Sequence, residues 1–308
     1  MKAKDFIKKN YKTIILIFLA FALVFVNFFI YRFAMDIIIV VLILLAIIFG
    51  MQKEFLKEWS IPILLFYLYE FLRGKAYVIA QWLNRPLLNE VLVSTEKSLF
   101  GIGDQIPTVF LQYSLSNAPS GQFLPNWYDY ILFFFYMSFF WFWLVVGFVI
   151  WKKSKDMFYR YIYGLVGFSI FDAIIYVFFP TAPPWYAAQV GILPPLQRVM
   201  LIHDYFSAKY VSLVSMYGNN DFAAWPSHHA AWPFFAWLFL VGTFGKKMIP
   251  LIIVPLVIAF ATWYGAEHYV IDSIAGFAVA GITYWIVMRV GSGNNHGGEG
   301  GIRTRDRF

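Results

Sequence analysis

The chain has 308 residues, of which 61 % are hydrophobic, 22 % aromatic and only 13 % charged; a soluble domain carries about 25 % charge. A water-soluble globule of this length needs a more polar surface, so the composition excludes a cytosolic enzyme, a nucleic-acid-binding domain and a disordered chain. There are no cysteines, which removes disulfides and thiolate chemistry, and the net charge of +7 reads as membrane topology.

A helix crossing a membrane needs about 20 mostly apolar residues. In chain order the expected spans are 13–31, 36–51, 59–77, 127–151, 161–179, 225–244, 248–264 and 269–288. The fold class is therefore all-α, a polytopic bundle of about eight spans. Residues 1–58 hold two N-terminal helices, 59–290 a six-helix core, and 291–308 a Gly-rich polar tail expected to be disordered. Alternate connections carry seventeen Lys and Arg against seven in the opposite set. That bias places both termini in the cytoplasm. Two long aromatic connections, 73–126 and 180–224, fall outside, with short interfacial helices expected in stretches such as 86–100.

Ionisable residues near membrane depth are costly, so each is a functional candidate. Trp225-Pro226-Ser227-His228-His229 opens the sixth span, Glu267-His268 precedes the eighth, and Asp272 follows four residues after His268. His268 and Asp272 therefore share one helix face, where a carboxylate can fix the imidazole tautomer and free the other nitrogen as nucleophile or base. Ser227 and the free amides of the sixth helix start form an anion site. Together these point to chemistry on a phosphate at the outer face. Asp172, inside the fifth span, either pairs with a loop cation, lines a headgroup cavity or makes an unrelated helix–helix bond. His228 either touches the headgroup or faces the interface.

These residues resemble the type 2 phosphatidic-acid phosphatase superfamily of membrane lipid phosphatases and phosphotransferases, most closely its inositol-phosphorylceramide-synthase-like branch. The family pattern runs Lys-x(6)-Arg-Pro, Pro-Ser-Gly-His, Ser-Arg-x(5)-His-x(3)-Asp. Pro226, Ser227 and His229 match the second element, with His228 at the glycine, and His268 and Asp272 match the third. Leu72-Arg73-Gly74, Pro107-Thr108, Leu111-Gln112, the string Pro180 to Trp185 and Gly276 are similar to that branch. The family Ser-Arg is here Ala261-Thr262, and nine residues separate Lys75 from Arg85. Arg73, Lys75 and Arg85 are the candidates for the missing phosphate-binding cations, with a Glu70 ion pair the alternative for Arg73.

The resemblance implies a mechanism without metal or other cofactor. His268 would attack phosphorus, Asp272 would hold its ring, and His229 would act as acid and then base. Ser227 would hold phosphate oxygens, and His228 is placed with the substrate-binding residues. The substrate would be a lipid phosphate, pyrophosphate or phospholipid, with water or a lipid hydroxyl as acceptor. Two other readings are a metal site built from His228, His229, His268 and Asp272, and a non-enzymatic transporter. Against the first, adjacent residues on a helix diverge by about 100°. Against the second, the polar residues gather at one face rather than lining a midplane path.

Overall fold

The computed structural model describes residues 35–116, 125–200 and 220–293. The expected first span and most of the C-terminal tail lie outside these. All regular structure among the described residues is helical: α1 (Met35–Ile48), α2 (Gln52–Trp82), α3 (Asn89–Phe100), α4 (Pro107–Leu115), α5 (Trp127–Lys153), α6 (Lys155–Phe178), α7 (Pro184–Gln189), α8 (His228–Phe244), α9 (Ile253–Tyr264) and α10 (Val270–Gly293). A 3₁₀ segment, Lys246–Ile252, leads into α9.

Among the described residues, four segments are long and apolar enough to cross a membrane alone: Trp127–Lys153, Lys155–Phe178, Lys246–Tyr264 and Val270–Val290. The protein is a multi-pass helical membrane protein. Three of the expected spans have different bounds, for physical reasons. α2 runs 31 residues in one piece, about 46 Å at 1.5 Å per residue, and carries charge along its length. α8 starts at His228 rather than Trp225, because Ser227 caps it by accepting from the Ala230 N–H. α6 begins at Lys155, six residues earlier than expected, because Ser154 caps it through the Met157 N–H.

α8 is the hub, packing against α5, α6, α9 and α10, while α2 lies along α6. Its buried residues are mostly alanines and aromatics: Ala230, Ala231, Trp232, Phe235, Ala236 and Phe239. Between membrane helices the attraction comes from close packing rather than from expelling water, so small residues let backbones approach. The closest approach is at Gly276 of α10. A Cβ there would lie 2.3 Å from the Ser227 carbonyl oxygen and 3.3 Å from the Ala231 nitrogen. The Ser227 N–H donates to the Asp272 carbonyl at 3.0 Å beside it. The starts of α8 and α10 are thus locked backbone to backbone.

The connections between the long helices are ordered by specific bonds. Asn89, at the start of α3, accepts the Ala182 N–H, and Leu88 N–H donates to the Pro180 carbonyl. Gln112 of α4 accepts the Gln197 N–H and donates to the carbonyls of Gln197 and Tyr264. One side chain thereby ties the 197–198 segment to the end of α9.

Candidate active site

His268 sits in the turn between α9 and α10. Ala266 has φ of +60°, a left-handed conformation that costs an alanine roughly 1 kcal/mol or more. The turn folds back so that the N–H groups of Glu267 and His268 both donate to the Thr262 carbonyl. Asp272 is the third residue of α10, and its carboxylate reaches back to the Tyr269 N–H at 2.9 Å, one half of a capping box. Glu96 of α3, fully buried, supplies two further caps by accepting the Val270 and Ile271 N–H groups at 2.8 and 3.0 Å. Burial pushes the Glu96 pKa up to about 7, the two N–H bonds pull it down, and the Asp272 charge adds to the rise.

His268 Nδ1 lies 3.3 Å from Asp272 Oδ2, and His268 Nε2 lies 3.0 Å from His229 Nδ1. The first contact is long for a hydrogen bond. The polarity of the chain follows from its end. An ionised carboxylate only accepts, so the proton on His268 belongs to Nδ1 and Nε2 is bare. His229 Nδ1 then carries a proton and donates it toward His268. His229 Nε2 has no hydrogen-bond partner among the described residues. Its ring is stacked on Tyr136 and packed against Phe139 of α5, with centroids 5.0 and 4.2 Å apart.

The two histidines open on a cavity of about 290 Å³, also lined by Tyr69, Arg73, Tyr176, Trp185, Arg198 and Glu267. Arg198 makes a two-pronged ion pair with Glu267, both bonds 2.9 Å, and its guanidinium lies over Trp185, 4.5 Å from the ring centroid. Burial disfavours the Arg198 charge, but the Glu267 carboxylate outweighs it and holds the pKa above the ordinary arginine value. Across the cavity Arg73 pairs with Glu70 at 2.9 Å. Two guanidiniums therefore border the space in front of His268.

The other expected residues divide. Lys75 and Arg85 do not border this cavity: Lys75 is exposed, and Arg85 is exposed with its guanidinium over Phe178. Residues two apart on a helix point some 200° apart, so Arg73 and Lys75 cannot share a pocket. Ser227 is fully buried, caps α8 and is not part of the lining. His228 does line the cavity, but both ring nitrogens are engaged, Nδ1 with the Tyr69 hydroxyl at 2.6 Å and Nε2 with Asp172 at 2.7 Å. Of the readings of Asp172, the helix–helix bond is the one observed. Among the described residues, no group of three or more His, Asp or Glu side chains is arranged to hold a metal ion. Sequence reading passed over Arg198, Tyr69 and Tyr176. Arg198 lies in an irregular loop 69 residues from its partner, and no spacing rule connects the two.

A membrane bundle with this chemistry at one end belongs among the enzymes that process lipid phosphoesters. A profile of the PAP2 superfamily matches residues 122–286, more than half of the chain, and the chain belongs to that superfamily. It is 27 % identical over 217 residues to the phosphoinositol dihydroceramide synthase of Bacteroides thetaiotaomicron, covering 65 % of this chain and 67 % of that protein. It is also 27 % identical over 131 residues to the inositol phosphorylceramide synthase catalytic subunit aur1 of Schizosaccharomyces pombe, 40 % of this chain and 31 % of that one. The similarity thus falls on the inositol-phosphorylceramide-synthase-like branch. No solved structure matches the chain.

Proposed function

We propose that the protein moves the phosphorylated headgroup of a membrane lipid through a covalent phosphohistidine on His268, with a lipid hydroxyl as acceptor. Water in place of that hydroxyl makes the same site a lipid phosphatase. The observation that carries this reading is the line Asp272, His268, His229, ending at a cavity bordered by Arg73 and Arg198. The bare Nε2 of His268 attacks phosphorus, and the bond to the leaving oxygen breaks. His229, carrying a second proton on Nε2 for this step, gives its Nδ1 proton to that oxygen and is left neutral. In the second half, the acceptor gives its proton to His229 as its oxygen displaces His268 from phosphorus. Asp272 holds the Nδ1–H of His268 and balances the charge on its ring.

A nitrogen–nitrogen separation of 3.0 Å has no room for phosphorus, so the phosphoryl group enters by parting the two rings. The two guanidiniums replace the cations missing from the family pattern, and phosphate oxygens compete with Glu70 and Glu267 for them. In this reading, residues 59–290 form the catalytic unit and the cavity faces the outer leaflet with both termini inside, an orientation supported by the Lys and Arg bias.

The test is a panel of lipid phosphates, pyrophosphates and phospholipids in detergent, each with and without a ceramide-like or diacylglycerol acceptor. Free phosphate, free headgroup and new lipid are measured side by side. Turnover should disappear in His268→Ala and fall at least about 100-fold in Asp272→Asn. The losses should be non-additive, because the two act as a unit. Full turnover by His268→Ala rejects the covalent mechanism.

A further inference from the structure

A second His–Asp pair stands beside the reactive one, and the family pattern has a glycine where its histidine lies. Asp172 of α6 is fully buried and bonds His228 Nε2 at 2.7 Å. Since an ionised carboxylate only accepts, the His228 proton is on Nε2 and Nδ1 is bare. The Tyr69 hydroxyl, 2.6 Å from that nitrogen, must therefore be the donor. On the other side of the same imidazole, the Tyr176 hydroxyl donates to the Pro226 carbonyl at 2.8 Å, a group that also can only accept. The two phenol rings flank His228 at centroid distances of 5.3 and 5.6 Å. Both tyrosines line the cavity.

Each phenol has thus turned its single proton into the protein. What its oxygen has left to offer is lone pairs. Such an oxygen cannot donate to a phosphate or carbonyl oxygen, but it can accept from a hydroxyl. Hydrogen-bond donors for phosphate come instead from the guanidiniums, and Arg73 lies one helical turn beyond Tyr69 on the same face of α2. With a glycine in place of His228, the Tyr69 hydroxyl would be free to swing its proton into the cavity and donate to a carbonyl, ether or phosphate oxygen instead.

We propose that Tyr69 and Tyr176 are specificity-determining residues for a hydroxyl on the substrate, and that His228 and Asp172 are positioning residues that fix their polarity. The inference rests on the reading of the cavity as a headgroup site and adds the kind of group that must accompany the phosphate. The hydroxyl has two sources, a polyol headgroup on the donor lipid or the alcohol of the acceptor lipid.

Dissociation constants measured by native mass spectrometry in detergent separate these sources. In the headgroup arm, dihexanoyl phosphatidylglycerol is compared with the same lipid carrying a propyl headgroup. In the acceptor arm, dihexanoylglycerol is compared with its methyl ether. The hydroxyl-bearing member should bind about tenfold more tightly in at least one arm, since an accepting oxygen left unmatched loses its bond. Tyr69→Phe should reduce that ratio toward one, and Arg73→Gln should weaken both headgroup lipids without changing their ratio. His228→Leu, which releases the Tyr69 proton to an ether oxygen, should reduce the ratio in the acceptor arm and serves there where Tyr69→Phe folds poorly. Equal binding within both pairs overturns the proposal, as does an unchanged ratio in folded Tyr69→Phe, or an unchanged acceptor-arm ratio in folded His228→Leu. So does tighter binding of dihexanoyl phosphatidylethanolamine, an ammonium headgroup, than of the glycerol lipid. All of these measurements are made in the His268→Ala background, where no phosphoryl transfer occurs, so their failure is distinct from turnover surviving in that variant.

Discussion

Replacing Gly276 by alanine tests whether backbone docking of α8 on α10 sets the catalytic distance. The new Cβ would stand 2.3 Å from the Ser227 carbonyl oxygen, where carbon–oxygen contacts settle near 3.3 Å. The atom it meets is main chain, so a rotamer change cannot relieve it, and the two helix starts must part by about 1 Å. His229 lies two residues beyond Ser227, so its 3.0 Å contact with His268 opens to about 4 Å. The Ser227 N–H bond to the Asp272 carbonyl stretches with it. Overpacking of this kind costs about 1–3 kcal/mol of stability, and a 1 Å error between reacting groups costs about 100-fold in rate. The assay pairs initial rates with thermal unfolding in detergent. Gly281→Ala is the control, since a Cβ there meets nothing within 4 Å. It should keep its rate and gain slightly in midpoint. A folded Gly276→Ala protein working within threefold of the unaltered rate would refute the docking argument.

Arg198→Lys keeps a charge but loses the fork that meets a carboxylate or phosphate in two places. It should cost about tenfold in kcat/KM, and Arg198→Gln about 100-fold; equal rates in all three proteins would remove Arg198 from the site. Folded Glu96 holds its proton up to about pH 7, whereas a glutamate at its ordinary value loses it near 4.5. Between those values the folded state binds more protons, so stability should fall as pH rises through that window. Glu96→Gln should flatten the fall, and an unchanged slope in thermal midpoints from pH 4 to 8 would show that another group is responsible. Topology can be read with single cysteines, because the chain has none of its own. Asp104→Cys, at a fully exposed side chain, should react with an impermeant thiol reagent in intact cells, while Lys153→Cys should react only after lysis. The reverse result would turn the cavity to the cytoplasm.

The sequence made the helices visible because each apolar run is long and uninterrupted, and it placed His229, His268 and Asp272 together because two short motifs sit at helix starts. It could not place what depends on rotation and on irregular backbone. Arg73 and Lys75 look equivalent in a charge count, yet α2 aims one at the cavity and leaves the other exposed. Ser227 looks like an anion ligand until the cap it makes is seen. Arg198 is held by a loop whose course is set by Gln112, 85 residues away. The partnership of His228 with Tyr69 and Asp172 joins three helices, and no local spacing encodes it.

The carboxylates beside Arg73 and Arg198 have a consequence of their own. Each guanidinium is already neutralised by a neighbour in its own chain, so these pairs offer no net positive well to dissolved anions. Chloride or inorganic phosphate from bulk solution would have to evict a tethered competitor unaided. A lipid comes already gathered at the surface by its acyl tails, at a high effective concentration, and can win that exchange. On the proposed reading, such self-occupancy would make the site insensitive to soluble salts while leaving it open to the bilayer.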